Sequence, residues 1–120
     1  MPKTLVVKAT AGQDAPERCS QAFTVAAIAV AAGVEVELWL TGESAWFALP
    51  GRAEEFELAE SAPLAELLSI LLESGQVVLC TQCAARRGLA PDALMPGIRI
   101  AGAQFFVEQV LEDDAQALVY

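Results

Sequence analysis

The sequence contains no histidine among its 120 residues. Without an imidazole, the chain cannot by itself form a Ser-His-Asp triad, a Cys-His pair, a His-ligated zinc site or a histidine general base. It also lacks the glycine patterns of the Walker A loop and of the dinucleotide-binding turn. Any chemistry is therefore expected from thiols, carboxylates, arginines and backbone dipoles.

Charged residues are scarce, and most of them are acidic. They make up 19% of the chain, and seven basic against sixteen acidic residues give a net charge of −9. A surface with this excess of negative charge is a poor partner for nucleic acids and for anionic membranes. Neither is expected as a partner of this protein.

A long apolar run is also missing. The longest stretch without charge, residues 19–34, includes Ser20, Gln21 and Gly33 and is shorter than the roughly 20 mostly apolar residues of a membrane span. Lys8 interrupts the first apolar run, which argues against a secretory signal peptide. Three cysteines do not form a paired secreted framework, so reduced thiols are expected. Because the chain is nevertheless 55% hydrophobic with a mean hydropathy of +0.45, we expect a soluble cytoplasmic domain that associates with other subunits.

Strand and helix patterns alternate about five times along the chain. The expected strands are Thr4–Ala9, Val34–Thr41, Gln76–Cys80, Ile98–Ile100 and Ala117–Tyr120. The expected helices are Pro16–Gly33, Ser44–Leu49, Pro63–Ser74, Thr81 or Gln82 to Gly88, and Ala103–Leu111, with a loop at Arg52–Ala62. This alternation predicts a single α/β domain over residues 1–120, a three-layer α/β/α arrangement with flavodoxin-like layering around a mostly parallel sheet of about five strands.

Two of these elements carry further expectations. The strict alternation at the start of Val34–Thr41 predicts that one face of this strand contacts water there. The helix over Ala22–Ala32 is apolar nearly all round, so we expect it to meet the sheet on one side and another helix or subunit on the other. Subunit contacts are expected on this helix and at Trp46–Leu49. Trp39, Trp46 and Phe47 are interpreted as core or interface residues.

In open parallel sheets, ligands bind outside the carboxyl ends of the strands. Three segments are expected to converge at that edge: Thr10–Asp14, Thr41–Ser44 and Cys80–Cys83. The polar candidates for lining a pocket there are Thr10, Gln13, Asp14, Thr41 and Ser44. The alternative for these side chains is ordinary hydrogen bonding within turns.

The most informative segment is a pair of cysteines at a strand–helix junction. Cys80 ends an apolar strand and precedes a helix, where free N–H groups and the helix dipole lower the pKa of a thiol. Cys83, Arg86 and Arg87 lie on one side of that helix. Either arginine would stabilise a thiolate or a persulfide near the thiols.

Other interpretations of the cysteines remain open. Cys80 could be a core residue, or the pair could form a thioredoxin-like redox site. Zinc needs four ligands, so a zinc site would have to be shared between subunits. Cys19 lies in the apolar helix and is interpreted as a core residue. No metal and no cofactor is expected.

The run Cys80-x-x-Cys83-x-x-Arg86-Arg87-Gly88 resembles the signature of the DsrE/DsrF-like family, which includes the sulfur-relay TusD and the YchN-type proteins. The opening strand over residues 3–7, the run over residues 32–36 that leads to Thr41-Gly42, and the Glu73-Ser74-Gly75 entry to the cysteine strand resemble the family as well. The resemblance implies a compact α/β/α fold that assembles as homotrimers, hexamers or hetero-hexamers.

The resemblance also implies a role for Cys80. In the sulfur-relay members, a cysteine before the helix accepts a persulfide sulfur and passes it on, and Cys80 occupies that position. Cys83 has no counterpart in the single-cysteine members, so it is open whether Cys83 resolves the persulfide, forms a disulfide or has no chemical role. Both thiols are candidate catalytic residues, and sulfur-donor and acceptor proteins are the implied partners.

The leading hypothesis is an intracellular sulfur carrier or sulfurtransferase-like protein, with Cys80 holding sulfur as a persulfide for a partner thiol. The alternative is a non-catalytic protein, either one that binds a small ligand at the carboxyl edge of the sheet or a structural subunit of a homo- or hetero-oligomer. Whether the chain is an enzyme is left open.

Overall fold

The computed structural model describes residues 3–120, which form five strands and four α-helices. In chain order these are β1 Thr4–Ala9, α1 Pro16–Ala31, β2 Glu35–Leu40, α2 Leu64–Ser74, β3 Gln76–Cys80, α3 Thr81–Arg86, β4 Ile98–Ala101, α4 Ala103–Val110 and β5 Ala115–Val119. Short 3₁₀ segments span Gly42–Ala48, Ala53–Glu55 and Pro91–Ala93. The second of them lies inside the expected loop Arg52–Ala62 and buries Ala53.

The five strands form one sheet in the order β4-β3-β2-β1-β5, and every neighbouring pair is parallel. The predicted α/β fold is therefore confirmed. The chain moves one strand at a time from β1 to β4 and then crosses the whole sheet to reach β5. Because parallel crossovers are right-handed, that return connection, which contains α4, must pass over the face opposite to α1 and α2.

One face of the sheet is covered by α1 and α2. Phe23 of α1 and Leu68 and Leu71 of α2 are almost fully buried in the same cluster as Leu38 and Leu79 of the sheet. Burying each such side chain contributes about 1.5–3 kcal/mol relative to leaving it in water. The apolar character of α1 on two sides is explained by its two neighbours, the sheet and α2.

The opposite face packs on α4. Val6, Trp39 and Val78 form a second buried cluster, against which Phe105, Phe106 and Val110 pack. The ring centroids of Trp39 and Phe106 lie 5.2 Å apart in an edge-to-face arrangement. A tryptophan in the middle of a strand is thus a core residue, as the sequence predicted.

At the start of β2, the structure confirms the expected water-facing side at Glu35, which is exposed, and corrects it at Glu37. Glu37 is 4% exposed, and its carboxylate accepts a 2.6 Å hydrogen bond from the indole N–H of Trp39. Burial raises the pKa of Glu37, while the Trp39 hydrogen bond and the charge of Arg99 partly offset that effect. At Glu37 the prediction was wrong because α4 covers this part of the sheet face, so the alternation there does not mark contact with water.

The expected subunit-contact regions are covered only in part within the chain itself. Ala22 and Ala26 of α1 and Phe47 and Ala48 of the following region are buried. Exposed large apolar side chains are found at Ile28, Ile70, Val107, Leu111, Leu118 and Val119, and the last four lie on or just after α4 and on β5. None of the helices described for residues 3–120 combines the length and the apolar character needed to cross a bilayer.

Candidate functional site

Cys80 lies where β3 passes into α3. Val77, Val78 and Leu79 are 0–1% exposed, because a strand in the middle of a parallel sheet is covered on both faces. Cys80 itself is only partly buried and is the N-cap residue of α3, with extended backbone angles. The strand therefore carries the thiol out of the core and leaves it at the carboxyl edge of the sheet.

The surroundings of Cys80 favour its ionised form. Burial by itself raises the pKa of this thiol, but four donors and charges act the other way. They are the backbone N–H and the thiol of Cys83, the backbone N–H of Gln82, and the positive charge of Lys8. The pKa of Cys80 is consequently below its usual range, which raises the thiolate fraction and the reactivity of the sulfur at neutral pH.

Lys8 is a site residue that the sequence analysis did not identify. It lies near the carboxyl end of β1, partly buried, with its ammonium 4.6 Å from the centre of the Phe106 ring. β1 is separated from β3 by β2, so the proximity of this lysine to Cys80 depends on the strand order. The sequence signal that could have identified Lys8 is that it is the single charged residue in a mostly apolar strand.

Cys83 lies one turn into α3 and is only 8% exposed. Its sulfur accepts a hydrogen bond from the backbone N–H of Gly42, with an N···S distance of 3.3 Å. Gly42 has a φ of +52°, and a Cβ at this position would lie 2.5 Å from the carbonyl oxygen of Thr10. Glycine is required here because the loop after β2 approaches β1 closely while its N–H points to Cys83.

The two arginines of the motif have different environments. Arg87 donates hydrogen bonds to the carbonyl oxygen of Cys83 at 3.2 Å and to the carboxylate of Glu43 at 2.8 Å. Its guanidinium also lies 5.8 Å from the centre of the Trp46 ring. Arg87 thus ties α3 to the segment after β2, and Arg86 is exposed at the end of α3. Lys8 is the cation whose charge lowers the pKa of Cys80.

Three of the five polar pocket candidates are hydroxyl side chains that bind backbone carbonyl oxygens. The hydroxyl groups of Thr10, Thr41 and Ser44 donate hydrogen bonds to carbonyl oxygens at the ends of neighbouring strands and loops. The acceptors are the carbonyls of Tyr120, Ala9 and Ala11 respectively. These bonds hold the carboxyl edge of the sheet together, which is the turn chemistry considered as the alternative.

The other two candidates line a cleft. Gln13 exchanges two 2.9 Å hydrogen bonds with the backbone of Glu57, and the Asp14 carboxylate accepts one from the N–H of Gly12 at 2.8 Å. The cleft has a volume of about 250 Å³ and is lined by Gln13, Asp14, Glu43, Trp46, Phe47, Arg52, Glu55 and Phe56. The structure thus brings Gln13 and Asp14 together in a cleft that Thr10, Thr41 and Ser44 do not line.

Cys19 is separate from the other two thiols. It is 1% exposed within α1, and burial together with the charge of Asp14 raises the pKa of its thiol to about 12, despite a hydrogen bond with Ser44. A thiol that stays neutral at physiological pH is unreactive. Across residues 3–120, no three Cys, Asp or Glu side chains are grouped in a way that could hold a metal ion.

Comparison with known proteins identifies the family. The model of the DsrE/DsrF-like family matches residues 3–116. The chain belongs to the DsrE/DsrF-like family. Proteins of the DsrE/DsrF-like family are generally linked to sulfur relay. No curated protein matches the sequence.

Solved structures show the same DsrE/DsrF-like fold. The ychN protein from E. coli matches with a TM-score of 0.80 at 21% identity, covering 100% of both chains. The protein of unknown function MTH1491 from Methanobacterium thermoautotrophicum matches with a TM-score of 0.68 at 11% identity, again over 100% of both chains. At sequence identities of 21% and 11%, the similarity to these two proteins shows a shared fold and no more.

Proposed function

We propose that this protein is a sulfur carrier that holds a sulfane sulfur as a persulfide on Cys80 and passes it to the thiol of a partner. The observation that carries the proposal is the environment of Cys80, a partly exposed thiol whose pKa is held low by nearby N–H donors and by Lys8. Membership of a family linked to sulfur relay supports it.

The chemistry needs no residue that the chain lacks. The Cys80 thiolate attacks the outer sulfur of a donor persulfide, the donor thiolate leaves, and Cys80 carries the persulfide. An acceptor thiolate then attacks that outer sulfur, and Cys80 leaves as a thiolate. The N–H groups of Gln82 and Cys83 and the charge of Lys8 stabilise Cys80 as nucleophile and as leaving group, so no histidine is required.

Arg86 is the better placed of the two arginines to interact with an anionic donor. It is exposed at the end of α3, whereas Arg87 is engaged with Glu43 and with the carbonyl of Cys83. We therefore assign the binding of donor charge to Arg86. Because such an interaction is exposed, its contribution should decline with added salt.

The test of the carrier function is to mix reduced protein with a low-molecular-weight persulfide, trap all sulfurs with an alkylating agent within seconds, and map the peptides by mass spectrometry. Wild type and Cys19→Ala should carry an added sulfur of about 32 Da on Cys80, and Cys80→Ser should carry none at that position. With an acceptor thiol present, the added sulfur should move to the acceptor. The proposal is overturned if neither wild type nor Cys83→Ser acquires sulfur on Cys80 and wild type forms no disulfide.

A second function is supported by the cleft of about 250 Å³, in which Trp46 lies beneath the guanidinium of Arg52 at 4.6 Å. An aromatic ring, an arginine and carboxylates at a concave surface suit a small polar ligand. A ligand that raises the melting temperature of wild type and of Cys80→Ser equally, but not that of Trp46→Ala, would favour a binding protein over a carrier.

We also propose that the protein forms a homo-oligomer, a trimer or hexamer, through the surface of α4 and β5. Val107 is 48% exposed, Leu111 73%, Leu118 39% and Val119 63%, and β5 is an edge strand whose free backbone groups would otherwise face water. Light scattering should report an assembly for wild type and a smaller species for Leu111→Lys and Val119→Lys.

We propose the cytoplasm as the location of this protein. The proposed persulfide chemistry needs reduced thiols, and thiols stay reduced in that compartment.

A further inference from the structure

The two thiols at the start of α3 differ in their access to solvent. Cys80 is partly exposed, whereas Cys83 is 8% exposed. A donor or acceptor molecule can therefore reach the first sulfur, while the second is shielded within the fold beside Gly42. Molecules in solution reach a shielded thiol poorly. It therefore reacts chiefly with a group bound to the accessible thiol three residues earlier.

The position of Cys83 suits an intramolecular attack on Cys80. The Gly42 N–H directed at the Cys83 sulfur, 3.3 Å away, interacts favourably with negative charge on that sulfur. The Arg87 hydrogen bond to the carbonyl of Cys83 fixes the same turn of α3. Cys80 is the N-cap residue of α3 and Cys83 follows three residues later, a spacing that places the two side chains on the same side of the helix start.

We propose that Cys83 discharges the persulfide on Cys80 when no acceptor thiol is bound, releasing the carried sulfur as hydrosulfide. This inference rests on the proposed carrier function, since it begins from the Cys80 persulfide. It assigns Cys83 the role of a resolving thiol and gives the protein a second activity, the reduction of sulfane sulfur to sulfide.

A proton moves from the Cys83 thiol to the terminal sulfur of the Cys80 persulfide. The Cys83 thiolate attacks the Cys80 sulfur, the S–S bond of the persulfide breaks, and its electron pair leaves with the terminal sulfur as HS⁻. The two cysteines are oxidised to a disulfide. An external dithiol then reduces this disulfide by thiol–disulfide exchange, supplying two electrons and two protons for each sulfur released.

The experiment loads fully reduced protein with inorganic polysulfide in the absence of oxygen, removes the excess by desalting, and measures the intact mass over time. Wild type and Cys19→Ala should lose about 2 Da through a Cys80–Cys83 disulfide. Cys83→Ser and Cys83→Ala should retain an adduct of about 32 Da on Cys80 and release sulfide only when dithiothreitol is added. Protein treated without polysulfide should stay reduced.

The variants separate this inference from the carrier function. If wild type keeps the adduct on Cys80 as long as Cys83→Ser does, within about twofold, the resolving role is refuted and the carrier function stands. If Cys80→Ser gains a stable adduct on Cys83 while Cys83→Ser gains none, the roles are reversed and the inference is again refuted. If no folded variant gains sulfur on Cys80 and wild type forms no disulfide, the carrier function itself fails. Because Cys83 is replaced both by serine and by alanine, the test can still be made if one of the two variants fails to fold.

Discussion

Replacement of Gly42 by alanine perturbs the loop that supplies the N–H donor to Cys83. The left-handed φ of +52° costs an alanine about 1–2 kcal/mol. The new Cβ would also lie 2.5 Å from the carbonyl oxygen of Thr10, and backbone must shift to relieve a contact under 3.0 Å. Thr10 cannot retreat freely, since its N–H and hydroxyl both bind the carbonyl of Tyr120 at 3.0 and 2.6 Å. Overpacking of this kind costs about 1–3 kcal/mol.

Together these effects predict that Gly42→Ala lowers the free energy of unfolding by about 2–5 kcal/mol. The matched control is Gly88→Ala, where φ is +65° and nothing lies within 4 Å of the added Cβ. That variant should lose only the backbone contribution of about 1–2 kcal/mol. Urea unfolding followed by tryptophan fluorescence measures both, at one protein concentration because assembly stabilises by mass action.

In melting temperature, the predicted loss is about 8–20 °C for Gly42→Ala and about 4–8 °C for Gly88→Ala, at roughly 4 °C per kcal/mol for a domain of this size. Equal losses in the two variants, within about 0.5 kcal/mol, would refute the idea that the loop is held closely against β1. A folded Gly42→Ala should also discharge the Cys80 persulfide more slowly, because the N–H donor to Cys83 is displaced.

Three further predictions concern charged side chains. Lys8→Met should raise the pKa of the Cys80 thiol and slow its alkylation at neutral pH, and an unchanged pH profile would exclude Lys8 from the site. Burial raises the pKa of Glu37, so ionisation of this carboxyl destabilises the folded wild type as the pH rises through that raised pKa. Glu37→Gln has no such ionisation. In urea unfolding, its stability relative to wild type should therefore increase between about pH 4 and pH 7. A double-mutant cycle with Arg87→Met and Glu43→Gln should give a coupling of about 1 kcal/mol, because Glu43 is 45% exposed, and additive effects would contradict the ion pair.

The elements that carry the cysteines could be predicted because their signals are local. The apolar run that ends at Cys80 is bounded by Gly75 and by Thr81, and strand β3 has the predicted bounds, Gln76–Cys80. The helix over Leu64–Ser74 also follows its leucine spacing. Hydrophobic period and turn residues act within a few positions, so one segment of sequence suffices to define such an element.

The contacts of the site could not be predicted in the same way. Lys8 influences Cys80 from two strands away, and Gly42 reaches Cys83 from a segment 41 residues earlier. Glu37 was expected to face water because its alternation was interpreted without α4, which covers that face. In each case the partner is distant in sequence, and the pattern around the residue is the same whether or not the partner is there.

The sequence by itself predicted the type of chemistry and the place where it would occur. The absence of histidine directs attention to thiols, and the cysteine pair at a strand–helix junction, with the family resemblance that it carries, identifies Cys80. Only the tertiary structure decided which charge acts on Cys80, that Arg87 binds Glu43 rather than the reactive sulfur, and that Cys83 is shielded beside Gly42. The physical reason is that backbone periodicity is a local property, whereas electrostatic and steric environments depend on strand order and on what packs across each face of the sheet.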